Sequence, residues 1–209
     1  DGTRQRGFYT DYLVAIGGEN KAVLTEQAAI IYQDEQNKLH SIKPQKTKAN
    51  DAGIIDFEKI FGQIDHKVAY AFCYIYSDAD QEAHFLFGSD DGAKVWINGK
   101  QVHFIDEGRA LSFRQDHFHA NLTKGYNTIL IKVSEWVRDW AFAIEAFDAQ
   151  GYAKIEAEIR ANYDFNEFLN CRLIPKKENR WNYYFMPGEF PEMRWEKPYL
   201  VEKVMGEFP

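Results

Sequence analysis

The chain has 209 residues, of which 45% are hydrophobic and 16% aromatic, and this is ample material for one large all-β core. Its net charge of −7 argues against a nucleic-acid or anionic-membrane partner, because both would require a basic face. No apolar run approaches the roughly 20 residues that are needed to span a bilayer. The first residue is not Met and the last residues resemble a cut, so we interpret the chain as a piece of a longer polypeptide.

The first sixty residues predict short elements separated by turns. Two glycines, Gly17 and Gly18, end the first apolar segment, and a polar stretch that contains a proline predicts a surface loop. The predicted elements are strands over 8–16, 22–32 and 38–42, a loop over 43–50 and one helical turn over 56–61. For the apolar segment over 22–32 a helix is the alternative to the favoured strand.

The middle of the chain predicts its longest strand and its sharpest turn. Residues 67–76 are apolar on both faces, which is typical of a strand in the centre of a sheet. A strand over 83–87 then leads into the acidic bend Ser89-Asp90-Asp91-Gly92. Alternation over 94–97 predicts a further strand, and Asn98-Gly99 predicts a type I′ hairpin turn because both residues tolerate positive φ.

The rest of the chain continues the pattern of short strands at roughly ten-residue spacing. Strands are predicted over 109–118, 128–133, 140–147 and 154–159, with a loop over 135–139. This spacing favours an all-β fold, an antiparallel β-sandwich of the jelly-roll kind. We expect residues 1–160 to form the sandwich. Residues 161–209, rich in aromatics and proline, are expected to form an extended, partly helical tail that packs on it and leads to a missing neighbouring domain.

Three pieces carry a resemblance to a known module: residues 88–100, 122–133 and 140–142. Together they resemble the PA14 superfamily and related β-sandwich accessory modules of bacterial carbohydrate-active enzymes. The resemblance spans about residues 65–148. It departs from the family at residues 135–139, where a glycine-rich loop is common and this chain has Glu-Trp-Val-Arg-Asp.

The resemblance implies a role for the paired aspartates, since in PA14-type lectins such a pair binds calcium, which in turn binds sugar hydroxyls. Carried over to this chain, it makes Asp90 and Asp91 calcium ligands, with Asn98 and the loop around Asp106 as further donors. Two carboxylates alone fall short of the six to eight oxygens that calcium takes. The alternative is that both acids only shape the turn by accepting hydrogen bonds from local backbone N–H groups.

Several side chains near the acidic bend are candidates for sugar binding. Trp136 lies in a polar loop, where an exposed indole would stack on a pyranose ring; alternatively it packs against the core or the tail. Arg109 and Arg138 would hydrogen-bond hydroxyls or uronate carboxylates, or they are solvated surface residues. The predicted carbohydrate site therefore comprises Asp90, Asp91, Asn98, Arg109, Trp136 and Arg138.

Histidine and cysteine give weaker signals. His117 and His119 flank Phe118 in a predicted strand, so both rings point to one face and form a candidate metal pair, with His103 as a third ligand if the fold brings it near. Partly buried or surface histidines are the alternative. Cys73 and Cys171 are interpreted as buried thiols, with a disulfide between them as an alternative that nothing in their spacing requires.

Signatures of a nucleophile elbow, a zinc protease, a Walker loop and a dinucleotide fingerprint are absent from the sequence. The first hypothesis is therefore a non-catalytic carbohydrate-binding or accessory module of a larger polysaccharide-degrading enzyme. Its expected partners are a polysaccharide and a catalytic domain in the same polypeptide, and its expected location is extracellular or periplasmic. The alternatives are a structural scaffold without a ligand and, more remotely, a stand-alone glycoside hydrolase.

Overall fold

The computed structural model describes residues 7–25, 29–33 and 37–160, and within these the chain forms an all-β sandwich. The strands are β1 Ile30–Gln33, β2 Leu39–Ile42, β3 Ile54–Asp56, β4 Lys67–Ser77, β5 Gln81–Asp90, β6 Ala93–Ile97, β7 Lys100–Ile105, β8 Asp116–Leu122, β9 Gly125–Glu135 and β10 Ala141–Phe147. The first sheet has the strand order β3-β10-β5-β8 and the second has the order β4-β9-β6-β7; a separate hairpin pairs β1 with β2.

The core lies between the two sheets and is built by alternation along the strands. Phe85 and Phe87 of β5 face Val95 of β6 and Ile131 and Val133 of β9, and all five are buried. The antiparallel pairing of β6 with β9 aligns Ala93 with Val133. Successive side chains of a strand point to opposite faces, so this register fixes which residues of β9 point inward up to its last position.

Several predicted elements are confirmed. A five-residue helix, α1 Phe57–Phe61, begins at Asp56, whose carboxylate accepts a hydrogen bond from the Lys59 N–H at 3.0 Å, as an N-cap does. The hairpin between β6 and β7 has positive φ at both central residues, 50° at Asn98 and 78° at Gly99, as a type I′ turn requires.

The predicted first strand is wrong. Residues 7–9 are helical and Val14–Ile16 form a 3-10 turn. The carboxylate of Asp11 accepts hydrogen bonds from the N–H groups of Leu13 and Glu19 at 2.8 and 3.0 Å, and such local bonds compete with strand pairing.

This N-terminal segment packs on the outer face of the second sheet. Leu13 is buried there in one cluster with Trp96 and Leu130, and Lys132 lies fully buried beneath the segment, with Nζ 3.0 Å from Glu19 Oε1. The covering segment also explains why β4 is apolar on both faces although it is an edge strand and not the predicted central one. The N-terminal segment, and not a second neighbouring strand, covers Tyr70 and Phe72 of β4.

Three further predictions are corrected. Of the strand predicted over 109–118, only the part from Asp116 is a strand. Residues 149–160 are helical where a strand over 154–159 was predicted. Cys73 is a free and exposed thiol instead of a buried one. Cys171 and the whole predicted tail, 161–209, lie outside the described residues.

The chain divides between Ala146 and Phe147 into two compact units. The first contains both sheets apart from the last residue of β10, and the described part of the second is residues 147–160, which are helical over 149–160. Within the described ranges, no helix combines the length and hydropathy needed to cross a bilayer.

Candidate cation-binding site

Three carboxylates meet at one end of the sandwich, where β5, β6 and β9 end or begin. One oxygen each of Asp90, Asp91 and Glu135 lies within 4.8 Å of the other two. The three residues are only 7%, 6% and 2% exposed. We call this group the acidic corner. Burial of three acids together is costly unless their charge is neutralised, and this cost makes the acidic corner the candidate functional site.

The backbone of the bend fixes the two aspartates against the end of β9. The Asp91 N–H donates to the Ser134 carbonyl at 2.9 Å, and the Ser134 N–H donates to the Gly92 carbonyl at 2.8 Å. The hydroxyl of Ser89 closes the bend by donating to the Asp91 carbonyl at 2.7 Å. The peptide bond between Asp90 and Asp91 is cis.

The register of β9 brings Glu135 to this bend. Ile129, Ile131 and Val133 point into the core, and Glu135 continues the same alternation. Its side chain therefore points inward at the end of β9, next to Ser134, whose backbone is hydrogen-bonded to the acidic bend. Both of its carboxylate oxygens are buried without a hydrogen-bond partner among the described residues.

Two loops supply N–H groups to the aspartates. The Arg109 N–H donates to Asp91 Oδ1 at 2.9 Å, and the Trp136 N–H donates to Asp91 Oδ2 at 2.7 Å. The Leu111 N–H lies 3.3 Å from Asp90 Oδ2. The turn-shaping alternative expects local N–H donors, whereas these three donors lie at least 18 residues away along the chain. It also leaves Glu135 unexplained.

The electrostatics of the acidic corner oppose full ionisation. Burial, and then the charge of Asp91, raise the pKa of Asp90 to about 7. Burial, and then the charges of Asp91 and Asp90, raise the pKa of Glu135 to about 8. Asp139 adds negative potential at both groups. A cation would reverse these shifts because it stabilises the charged form of each acid.

The donor set fits a hard divalent cation. Carboxylate oxygens are the ligands that Ca²⁺ and Mg²⁺ prefer, and Ca²⁺ accepts an irregular set of six to eight oxygens. Glu135 offers two oxygens that no protein group occupies in the described chain. The acidic corner can therefore bind a metal ion, with Asp90, Asp91 and Glu135 as its ligands. The remaining positions would be filled by water or by oxygens of a ligand.

Trp136 and Arg138 lie on the loop that follows β9, beside the acidic corner. The indole of Trp136 rests on Gly108, where an added Cβ would meet two atoms of the ring at 2.5 Å. This close approach needs a residue without a side chain. Trp136 is partly buried and Arg138 is exposed. The structure thus places Asp91 and Trp136 at one shared edge, with the Trp136 N–H bonded to the acid.

Arg109 contributes to the site mainly through its backbone. Its guanidinium donates to Asp116 Oδ1 at 2.9 Å and to the Ser89 hydroxyl at 2.9 Å, and the side chain is 12% exposed. These bonds tie the loop over 106–115 to β8 and to the acidic bend, so Arg109 positions the acidic corner.

Asn98 is separated from the other predicted site residues. It lies in the hairpin at the opposite end of β6 from Asp91. Its side-chain Nδ2 donates to Asn127 Oδ1 at 2.7 Å, and its side-chain Oδ1 accepts a hydrogen bond from the Thr128 N–H at 2.9 Å. Asp106, named as a further donor, lies next to Gly92, but one of its oxygens accepts from the Tyr9 hydroxyl at 2.8 Å.

Comparison with known proteins gives no family. No family model and no curated protein matches the sequence. Among solved structures, the PA14 domain of the antifreeze protein MpAFP has a TM-score of 0.35 and 20% identity, covering 40% of this chain and 44% of that one. The GH31 α-xylosidase of Xanthomonas citri has a TM-score of 0.40 and 12% identity, covering 61% of this chain and 17% of that one. An anti-sigma factor domain-containing protein has a TM-score of 0.37 and 13% identity, covering 59% and 54%. The chain is thus similar to parts of longer proteins, and likenesses this weak say nothing about its function.

Proposed function

We propose that this chain is a non-catalytic, cation-dependent carbohydrate-binding module of a larger secreted enzyme that acts on polysaccharides. The observation that carries the proposal is Glu135: a buried carboxylate with two unpartnered oxygens, directed at two further buried carboxylates. We propose Ca²⁺ as the ion, bound by Asp90, Asp91 and Glu135. The location would be extracellular or periplasmic.

The proposal that the bound cation also binds a sugar rests on the coordination number of the ion and on the loop that follows β9. Three carboxylates of which one, Asp91, already accepts two N–H bonds leave a Ca²⁺ ion short of its usual six to eight oxygens. Vicinal hydroxyls of a sugar supply such oxygens as a pair. Trp136 and Arg138, on the loop directly after Glu135, provide an aromatic surface and a cation beside them.

Glycan binding by the calcium-loaded protein is expected to depend on both the ion and Trp136. We expect retention of at least one polysaccharide in affinity electrophoresis with CaCl₂, and its loss in EDTA. Affinity for such a shallow site would be micromolar to millimolar, or about 4 to 8 kcal/mol. Trp136→Ala should weaken binding about tenfold, or about 1.4 kcal/mol, while leaving Ca²⁺ affinity, measured by calorimetry, nearly unchanged.

The matched controls are substitutions remote from the acidic corner. Tyr126→Ala removes an aromatic ring that is 75% exposed on β9, and Asp51→Asn removes an exposed acid; both should bind glycan as the wild type does. Retention that persists unchanged in EDTA would contradict the cation-dependent site.

The structure also favours a second candidate, a scaffold whose cation only locks the fold. The near-complete burial of the three acids supports it, because a deeply placed ion offers few positions to a ligand. Calcium binding without retention of any glycan across a broad panel would select this candidate.

A further inference from the structure

We propose that Glu82, His84, His117 and His119 form a second metal site, on the outer face of the first sheet, for a late first-row transition ion such as Zn²⁺. This site is independent of the acidic corner in position and in chemistry. Imidazole nitrogens select borderline ions such as Zn²⁺, Ni²⁺ and Cu²⁺, whereas the oxygen ligands of the acidic corner select hard ions.

The antiparallel pairing of β5 with β8 gathers these four residues. Phe85, Phe118 and Ala120 point into the core, so their neighbours along the strands point outward. The register places His84 directly opposite His119. His117 lies two residues along β8 from His119, and Glu82 lies two residues along β5 from His84, so all four side chains share one face.

The donor atoms adjoin one another without yet meeting at one point: His84 faces His117 through Nδ1 and Glu82 through Nε2, and only one of these two nitrogens can bind a given ion. His84 Nδ1 is 3.1 Å from His117 Nε2, and the two rings stack with an interplanar angle of 9°. His84 Nε2 lies 3.7 Å from one oxygen of Glu82, and His119 Nε2 lies 4.0 Å from the other. Two nitrogens bound tetrahedrally to one Zn²⁺ are about 3.3 Å apart, which the His84–His117 pair already matches closely.

Side-chain freedom allows the rest of the set to converge. The side chains of His119 and Glu82 are 64% and 51% exposed, and His117 is also exposed, so rotation about their side-chain torsions meets little resistance. Three imidazoles and one carboxylate make the four-ligand set that Zn²⁺ takes. His103, the third ligand considered from the sequence, is not part of it, because its ring stacks on Phe118 inside the sandwich and its Nε2 is 3.2 Å from Asp116 Oδ2.

Calorimetric titration of the whole chain with ZnCl₂ tests the site. The titration uses the Glu135→Gln variant in a non-chelating buffer at pH 7.5, so that the acidic corner does not contribute. We expect one Zn²⁺ per chain with micromolar affinity.

Single substitutions identify the ligands. His84→Ala and His117→Gln, added to Glu135→Gln, should each weaken Zn²⁺ binding at least tenfold, with circular dichroism confirming the fold of each variant. His66→Ala removes another exposed histidine and should change nothing. Absence of Zn²⁺ binding, or equal losses in the His66 and His84 variants, would overturn the site without bearing on calcium at the acidic corner.

Discussion

Replacing Glu135 by Gln is expected to change stability in opposite directions with and without calcium. In the cation-free protein at pH 8.5, the substitution removes a buried charge that faces two others, so the free energy of unfolding should rise by about 2 kcal/mol, or about 4 to 8 °C in melting temperature. With calcium, the wild type gains about 2.7 kcal/mol at an ion concentration 100 times the dissociation constant. The variant should lose most of this gain, because it lacks one ligand charge.

The stability of the cation-free protein is expected to fall as the pH rises. Burial and the neighbouring aspartates raise the folded-state pKa of Glu135 to about 8 and that of Asp90 to about 7, above their values of roughly 4 in an unfolded chain. The folded state then holds protons that the unfolded state releases, so stability falls as the pH rises from about 4 towards 8. Thermal melts at pH 5, 6.5 and 8 in EDTA should show this decline, and Glu135→Gln should make it shallower.

The opposite effects of Glu135→Gln on stability with and without calcium distinguish a cation ligand from a carboxylate that only contributes to packing. If Glu135 had only a packing role, its substitution would not alter the response to calcium. An equal calcium-induced rise in melting temperature in wild type and variant would contradict the proposed ligand set. Asp51→Asn, which removes an exposed acid, should leave both the pH slope and the calcium response unchanged.

Part of the acidic corner could be predicted from local sequence and part could not. Asp90, Asp91 and the hairpin after them are signalled by neighbouring residues, because bends and type I′ turns depend on a few adjacent positions. Glu135 is 44 residues from Asp91 along the chain and reaches it only through the pairing of β6 with β9. The sequence does contain one signal for it. Extending the inward positions Ile129, Ile131 and Val133 by one step predicts a buried acid at 135.

Two of the wrongly predicted elements, the strand over 8–16 and the first part of the strand over 109–118, fail for a common reason: side-chain bonds to the backbone replace strand pairing. Asp11 binds the N–H groups of its own segment, and the aspartates of the acidic corner bind the N–H groups of Arg109 and Leu111. The alternation over 109–118 is typical of a strand, but the N–H groups of Arg109 and Leu111 donate to the acidic corner and not to a neighbouring strand. Periodicity reports which face is apolar and cannot report where a backbone donor finds its acceptor.

Removing the carboxylate of Asp116 is expected to cost about 3 kcal/mol and also to weaken calcium binding. Asp116 accepts hydrogen bonds from the Arg109 guanidinium, and the side chains of this pair are 12% and 16% exposed. Asp116→Ala would leave the Arg109 charge buried without its partner, and such losses cost about 3 to 5 kcal/mol for fully buried pairs. Calcium affinity should fall too, because the backbone of Arg109 positions Asp91.

The pH range of this contribution lies below that of the acidic corner. Burial alone would raise the pKa of Asp116, but hydrogen bonds from Arg109 and then His103 lower it to about 2. A lowered folded-state pKa means that the stabilisation is complete above the unfolded value of roughly 4 and is lost as the pH falls through about 2. The wild type should therefore be destabilised in this acid range more steeply than Asp116→Ala.

A double substitution and an exposed pair provide the controls for urea unfolding. Arg109→Met combined with Asp116→Ala removes both charges and should recover part of the stability lost in the single variant, since no buried charge is left unpaired. Glu156→Ala breaks the exposed pair with Arg160, whose atoms are 2.9 Å apart, and should cost less than about 0.5 kcal/mol. A double variant less stable than Asp116→Ala would contradict this expectation. It would show that the Arg109 guanidinium stabilises the loop over 106–115 mainly through its hydrogen bond to Ser89 in the acidic bend, and not through its charge pair with Asp116.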